Sequence, residues 1–238
     1  MLRNQQKESE CGERRRGVMT PIHVEPKQRG FSRLELFLVI AVLTMLSGML
    51  LLAQTGDKAG AQTVACANNL KQIYLSFKTF SIDNDDRFPM GVPTKEGGSM
   101  EFTTGGNAFR HFQVVSNELY DPKVLICPSD NRKSAEGFGR LTNTNLSYFV
   151  GVDAVNARKG RSHMWLSGDR NLTINAIPAR TGLVSVQSTD SVGWSDQMHN
   201  GRGNLVELDG VLLPSVTEPR LRIFLRLTGT NVNRLAFP

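Results

Sequence analysis

Four histidines, three cysteines and 22 carboxylates carry the chemistry available to this 238-residue chain. Their spacing decides what that chemistry would be. His23, His111, His163 and His199 form no HxxxH or HExxH pattern, and Cys11, Cys66 and Cys127 form no CxxC, so no zinc site is expected and no cofactor is implied. His199 and Asp209, with Ser191 or Ser195 as nucleophile, have the residue types of a hydrolytic triad. No GxSxG elbow accompanies them, and a histidine near a hairpin ordinarily satisfies a turn, so the chain is read as no enzyme. Asp169 and Asp196 read as turn or ion-pair residues. Asp83 would open a calcium loop, but Phe88 and Thr94 stand where the glycine and the closing glutamate belong, which leaves a solvated turn.

The one carboxylate whose position demands an explanation is Glu35. It borders Leu36–Ala53, 18 residues without a charge, which at about 1.5 Å per residue cover roughly 27 Å of a hydrocarbon core near 30 Å thick. Carried to mid-membrane, a carboxylate costs on the order of 2.5–3.5 kcal/mol, so a partner is expected.

The surrounding residues, Arg29-Gly30-Phe31-Ser32-Arg33-Leu34-Glu35, resemble the cleavage and assembly signal of type IV pilins and type II secretion pseudopilins. The resemblance implies that a prepilin peptidase cuts after Gly30 and that Phe31 becomes the N-methylated amino terminus. It also implies that Glu35 meets the amino terminus of a neighbouring subunit as helices pack into a fibre, so that two charges costly in lipid neutralise each other. Arg33 departs from the pattern, which more often has a neutral residue there. A second tract supports the likeness: His199, Asp209 and Gly210 give His-x9-Asp-Gly, similar to a C-terminal signature of pseudopilin-like proteins, and Leu125–Asp130 and Ser167–Leu172 look like further parts of it.

The same cut changes the composition. Of a net +6, half lies in residues 1–30, which hold seven basic and four acidic side chains. The remaining 208 residues carry only +3, so no nucleic-acid partner is expected. Cys11 leaves with the leader. Cys66 and Cys127 then permit one disulfide in an oxidising compartment, two buried free thiols being the alternative. Methionine occurs at both 1 and 19, and either start gives a leader ending at Gly30.

Four regions follow: a basic leader, 1–30; a transmembrane helix part, 31–53; an outer amphipathic part, 54–82; and a globular domain, 83–238. The basic leader places residues 1–30 in the cytoplasm. Val64, Leu70, Ile73, Phe77 and Phe80 suggest one stripe of the outer helix, which stops at the Asp83–Pro89 turn; Gly56 and Gly60 allow either a bent continuous helix or two helices. Residues 107–120 read as a second short helix and 123–128 as a strand stopped by Pro128. Further strands are expected at 146–152, 163–168, 183–187 and 192–196. Asp209-Gly210 suggests a type I′ turn in a hairpin over 204–213. Residues 219–227 fit an amphipathic helix or strand. The expected fold is α+β and pilin-like, a long N-terminal helix packed on an antiparallel sheet.

The function expected from the resemblance is that of a pseudopilin subunit of a type II secretion-type pseudopilus, single-pass in the inner membrane with its C-terminal domain in the periplasm. The prepilin peptidase, other pseudopilins, copies of itself, the assembly platform and lipid are its expected partners. Two alternatives stand beside it. One is a type IV or competence pilin in adhesion or DNA uptake; the other is an anchored or secreted binding or hydrolytic domain, cut by signal peptidase at Ala59-Gly60-Ala61 in the secreted case.

Overall fold

The computed structural model describes residues 30, 32–53, 57–156 and 163–238. The chain divides into two units, Met1–Leu50 and Leu51–Pro238. Helix α1 begins in the first at Arg33 and runs 21 residues to Ala53, just past the division. Ser32 caps it: the Ser32 hydroxyl accepts from the Glu35 amide at 3.2 Å, and the Ser32 carbonyl accepts from Leu36 at 3.1 Å. Thr44 and Ser47, the polar interruptions of the apolar run, turn their hydroxyls back onto the carbonyls of Ala41 and Leu43, which leaves no donor unsatisfied on an apolar surface. Among the described residues no helix is both long and apolar enough to cross a membrane; the side chains of α1 beyond Met49 lie outside the described residues.

The second unit is α+β. Its helices are α2 (Asp57–Ile82), α3 (Ala108–Val114), α4 (Ser116–Leu119) and α5 (Glu218–Leu227). Its strands are β1 (Tyr148–Gly151), β2 (Trp165–Asp169), β3 (Leu172–Ile174), β4 (Ile177–Pro178), β5 (Gly182–Gln187), β6 (Val192–Trp194), β7 (Gly203–Glu207), β8 (Leu212–Val216) and β9 (Val232–Phe237). A six-stranded sheet has the order β5-β9-β1-β2-β7-β8 and a three-stranded sheet the order β4-β3-β6, with every pairing antiparallel.

The large sheet is buried on both faces, and its two-residue period sorts side chains between two cores. Tyr148, Val150, Leu166, Val206 and Ala236 face one core, with Leu70, Ile73 and Phe77 of α2 and Phe112 of α3. Phe149, Trp165, Leu205, Leu235 and Phe237 face the other, with Leu221 and Leu225 of α5 and Leu172, Val192 and Trp194 of the small sheet. The result is a layered sandwich with α2 on one side.

Several local expectations need correction. The buried stripe of α2 is Cys66, Leu70, Ile73 and Phe77, all fully enclosed, whereas Val64 is 60% exposed. Six residues separate Val64 from Leu70, about 120° off the same line in a helix of 3.6 residues per turn. The single helix at 107–120 is two, α3 and α4, broken at Val115. Residues 123–128 form no strand. Pro122 starts a 3-10 turn over Pro122–Leu125, and the Asp121 side chain caps it by accepting from the Lys123 amide at 2.9 Å.

The turn between β7 and β8 is not type I′, since Gly210 has φ +87° but Asp209 is not left-handed. Gly210 donates to the Glu207 carbonyl and Glu207 to Val211. The loop is therefore three residues long with a glycine bulge at its end. Residues 54–56, where one bent helix or two was left open, lie outside the described residues.

Candidate functional site

The residues singled out by sequence fall into two groups. Gly30 is exposed, and Phe31 lies outside the described residues. Glu35 is the third residue of α1, and its side chain is exposed. Ser32 and Glu35 stand at the spacing of a capping box, S-x-x-E, a local signal that sequence reasoning overlooked while attending to the charge. Glu35 thus sits where a carboxylate also favours the positive end of the helix dipole.

The second group converges in the globular unit. Cys66, inside α2, and Cys127, on the segment after the Pro122 turn, form a disulfide with a Cα–Cα distance of 5.0 Å across 61 residues of sequence. His199 Nε2 lies 3.2 Å from Cys127 Sγ, 3.4 Å from Asn204 Nδ2 and 3.4 Å from Asp169 Oδ2. On the other ring nitrogen, Nδ1 is 3.1 Å from Thr63 Oγ1 of α2. The Thr63 hydroxyl gives its single proton to the Ala59 carbonyl, so His199 donates from Nδ1 and presents the Nε2 lone pair to the Asn204 amide. Burial holds the imidazole below its usual pKa, hence neutral near pH 7.

The carboxylate facing His199 is Asp169, not the signature residue Asp209. Asp169 is fully enclosed; its Oδ2 accepts from the Asn204 amide at 2.7 Å and from Asn204 Nδ2 at 2.9 Å, while Oδ1 has no hydrogen-bond partner among the described residues. Burial raises its pKa to about 7, against the lowering effect of the two Asn204 bonds. Neighbouring Asn171 aims Nδ2 at the carbonyls of Ser195, Met198 and Arg202, within 2.9–3.2 Å. That amide gathers the loop on which His199, Asn200 and Gly201 take successive left-handed φ values of +51°, +50° and +71°. Asn and His tolerate this region better than most residues, and glycine tolerates it freely.

The remaining tracts on which the resemblance rests meet here too. Asp130, from Leu125–Asp130, accepts two bonds from Arg170 of Ser167–Leu172 and one from the Ser147 hydroxyl at 2.8 Å. Burial pushes the Asp130 pKa up, but these bonds outweigh it and hold the group below its ordinary value. At the far end of β7, Asp209 and Gly210 again meet α2: Tyr74 donates to the Asp209 carbonyl and Lys71 to that of Gly210, each at 3.2 Å. A Cβ at position 210 would lie 2.4 Å from the Tyr74 ring and push aside the ring that bonds Asp209, and the φ of +87° itself favours glycine.

The nine intervening residues of the His-x9-Asp-Gly tract thereby acquire a physical meaning: they carry the chain along β7, and each end of that strand is fastened to α2. As chemistry the cluster is closed. The two sulfurs are bonded to each other and offer no thiolate to a metal or a substrate, and Ser195 Oγ is buried without a hydrogen-bond partner among the described residues. An open groove of about 960 Å³ runs beside it, bordered by Gly60, Thr63, Ala67, Pro128, His199 and Pro214.

No family model matches the chain, and neither the characterised proteins nor the solved structures searched contain a match.

Proposed function

We propose that this chain is a non-enzymatic pseudopilin subunit, anchored by its N-terminal helix, cut after Gly30 and assembled through that helix into a periplasmic pseudopilus. One observation carries the reading: every described side chain of α1, from Arg33 to Met49, is exposed, and the helix is entered by an exposed carboxylate at its third residue. An apolar surface of this extent is stable only when covered by lipid or by other helices. In this reading the whole run to Ala53 is bilayer-embedded; the 21-residue backbone of α1 is about 31 Å long at ~1.5 Å per residue. The closed His199–Asp169–Cys127 cluster is consistent with a subunit whose work is mechanical, since its groups hold α2 against the sheet.

Mass spectrometry of the mature N-terminal peptide tests the proposal. N-methylated Phe31 is the expected result. A chain beginning at Gln62 would indicate signal peptidase, and one retaining Met1 or Met19 would indicate an unprocessed anchor; either overturns the reading.

A further inference from the structure

We propose that His163, Glu207 and Asp209 form a binding site for one first-row divalent cation of the zinc class, placed where β2 begins and the β7–β8 hairpin turns. The three side chains each offer a ligand atom, and all three atoms lie within 4.8 Å of one another. His163 Nδ1 is 3.0 Å from Glu207 Oε2. This is a hydrogen bond in the metal-free chain, and two ligands on one zinc ion, at ~2.0–2.2 Å each, stand about 3.0–3.5 Å apart, so an ion could replace the shared proton with little movement.

Glu207 supplies the independent indication. Its side chain is 2% exposed, and Oε1 is buried with no hydrogen-bond partner among the described residues. A buried carboxylate oxygen left unpaired is costly, and a cation is the partner that removes the cost. Asp209 Oδ1 is engaged by the Val211 amide at 3.0 Å, which fixes the carboxylate that supplies the third ligand atom. His163 is nearly half exposed and Asp209 is exposed, so an ion has a path in and waters can complete its coordination.

The donor set selects the metal. One imidazole nitrogen with two carboxylates suits zinc, cobalt or manganese, whereas calcium takes six to eight oxygens. Spacing concealed the site, because His163 is 44 residues from Glu207 and no local motif joins them. The backbone brings them together: Leu208 donates to the Met164 carbonyl at 2.8 Å. Since Lys71 and Tyr74 of α2 hold the same turn, a bound ion would staple the start of β2 to a hairpin that α2 already clamps. The inference does not depend on the pseudopilin reading.

The test is Zn²⁺ titration of the metal-stripped, tag-free full chain in detergent, by competition with a chromophoric chelator, for wild type, His163→Gln and Asp209→Asn. Asn-Gly keeps the turn chemistry and glutamine keeps a donor toward Glu207 Oε2, so both variants are expected to melt like the wild type without metal. The expected result is one Zn²⁺ per chain, at least tenfold weaker in each variant. Absence of saturable binding, or affinity unchanged in both variants, overturns the site. So does Ca²⁺ binding as tight as Zn²⁺.

Discussion

Arg170 grips Asp130 with two parallel bonds, Nε to Oδ2 and Nη2 to Oδ1, each 2.7 Å, and the Asp130 side chain is only 1% exposed. The fork matches the carboxylate geometry, which a lysine ammonium does not reproduce. Arg170→Ala is expected to lower stability by roughly 3–5 kcal/mol, because it strands a buried charge. Arg170→Lys should recover only part of that. Chemical denaturation midpoints check both. Because the folded Asp130 pKa lies below its unfolded value of 3.8, the contribution is present above that pH and is lost as pH falls through the lower folded value. The pH dependence below 3.8 should therefore flatten in Asp130→Asn.

Asp169 should act in the opposite sense. Its folded pKa is about 7 against 3.8 unfolded, so over that window the native state binds more protons than the unfolded one, and stability falls as pH rises. Asp169→Asn keeps an acceptor for Asn204 without the titration. Its stability relative to wild type is expected to climb between pH 3.8 and about 7, by at most ~1.4 kcal/mol per unit, and to level off above. A difference that stays constant with pH, in denaturation series at several pH values, would contradict the account of this buried carboxylate.

The Cys66–Cys127 bond closes 61 residues, for which chain entropy gives a stabilisation of about 4 kcal/mol. Cys66→Ser with Cys127→Ser is expected to lose 2–4 kcal/mol and to free the Thr63–His199 end of β7 before the Tyr74–Gly210 end. Hydrogen exchange resolves the two: protection should fall first around His199 and Asn204.

Much of this organisation was legible where the signal is local. The end of α2 at Ile82, the positions of β1, β2, β5 and β6, and the α+β class follow from turn residues and apolar runs. Asp121-Pro122 misled, because the apolar run Val124-Leu125-Ile126 looks like a strand, yet an aspartate cap on a proline-started turn claims its first residues. The candidate cluster was visible only as fragments. The tracts that carry the resemblance could be picked out one by one, but nothing in a spacing tells that Asp130 meets Arg170, or that His199 faces Asp169 rather than Asp209. Those pairings are set by the order β1-β2-β7 in the sheet, a long-range property that no local pattern encodes.

Glu35 has two roles that one substitution would confuse. Its amide donates to the Ser32 hydroxyl that caps α1, a backbone bond that any residue at 35 keeps, while its side chain stands at the capping-box position, which glutamine also fills. As a charge it is the proposed partner of a neighbour's new amino terminus. Glu35→Ala removes the charge and the capping-box side chain, whereas Glu35→Gln keeps a capping-box side chain and removes only the charge. If charge pairing sets the register of the fibre, both variants should fractionate with membranes yet fail to enter sheared filaments, with Glu35→Gln as defective as Glu35→Ala. If capping is what counts, Glu35→Gln should assemble normally while Ser32→Ala reproduces the defect. Immunoblots of membrane and sheared-fibre fractions from cells expressing each variant decide between them, because glutamine separates a charge from a hydrogen-bond acceptor at the same position.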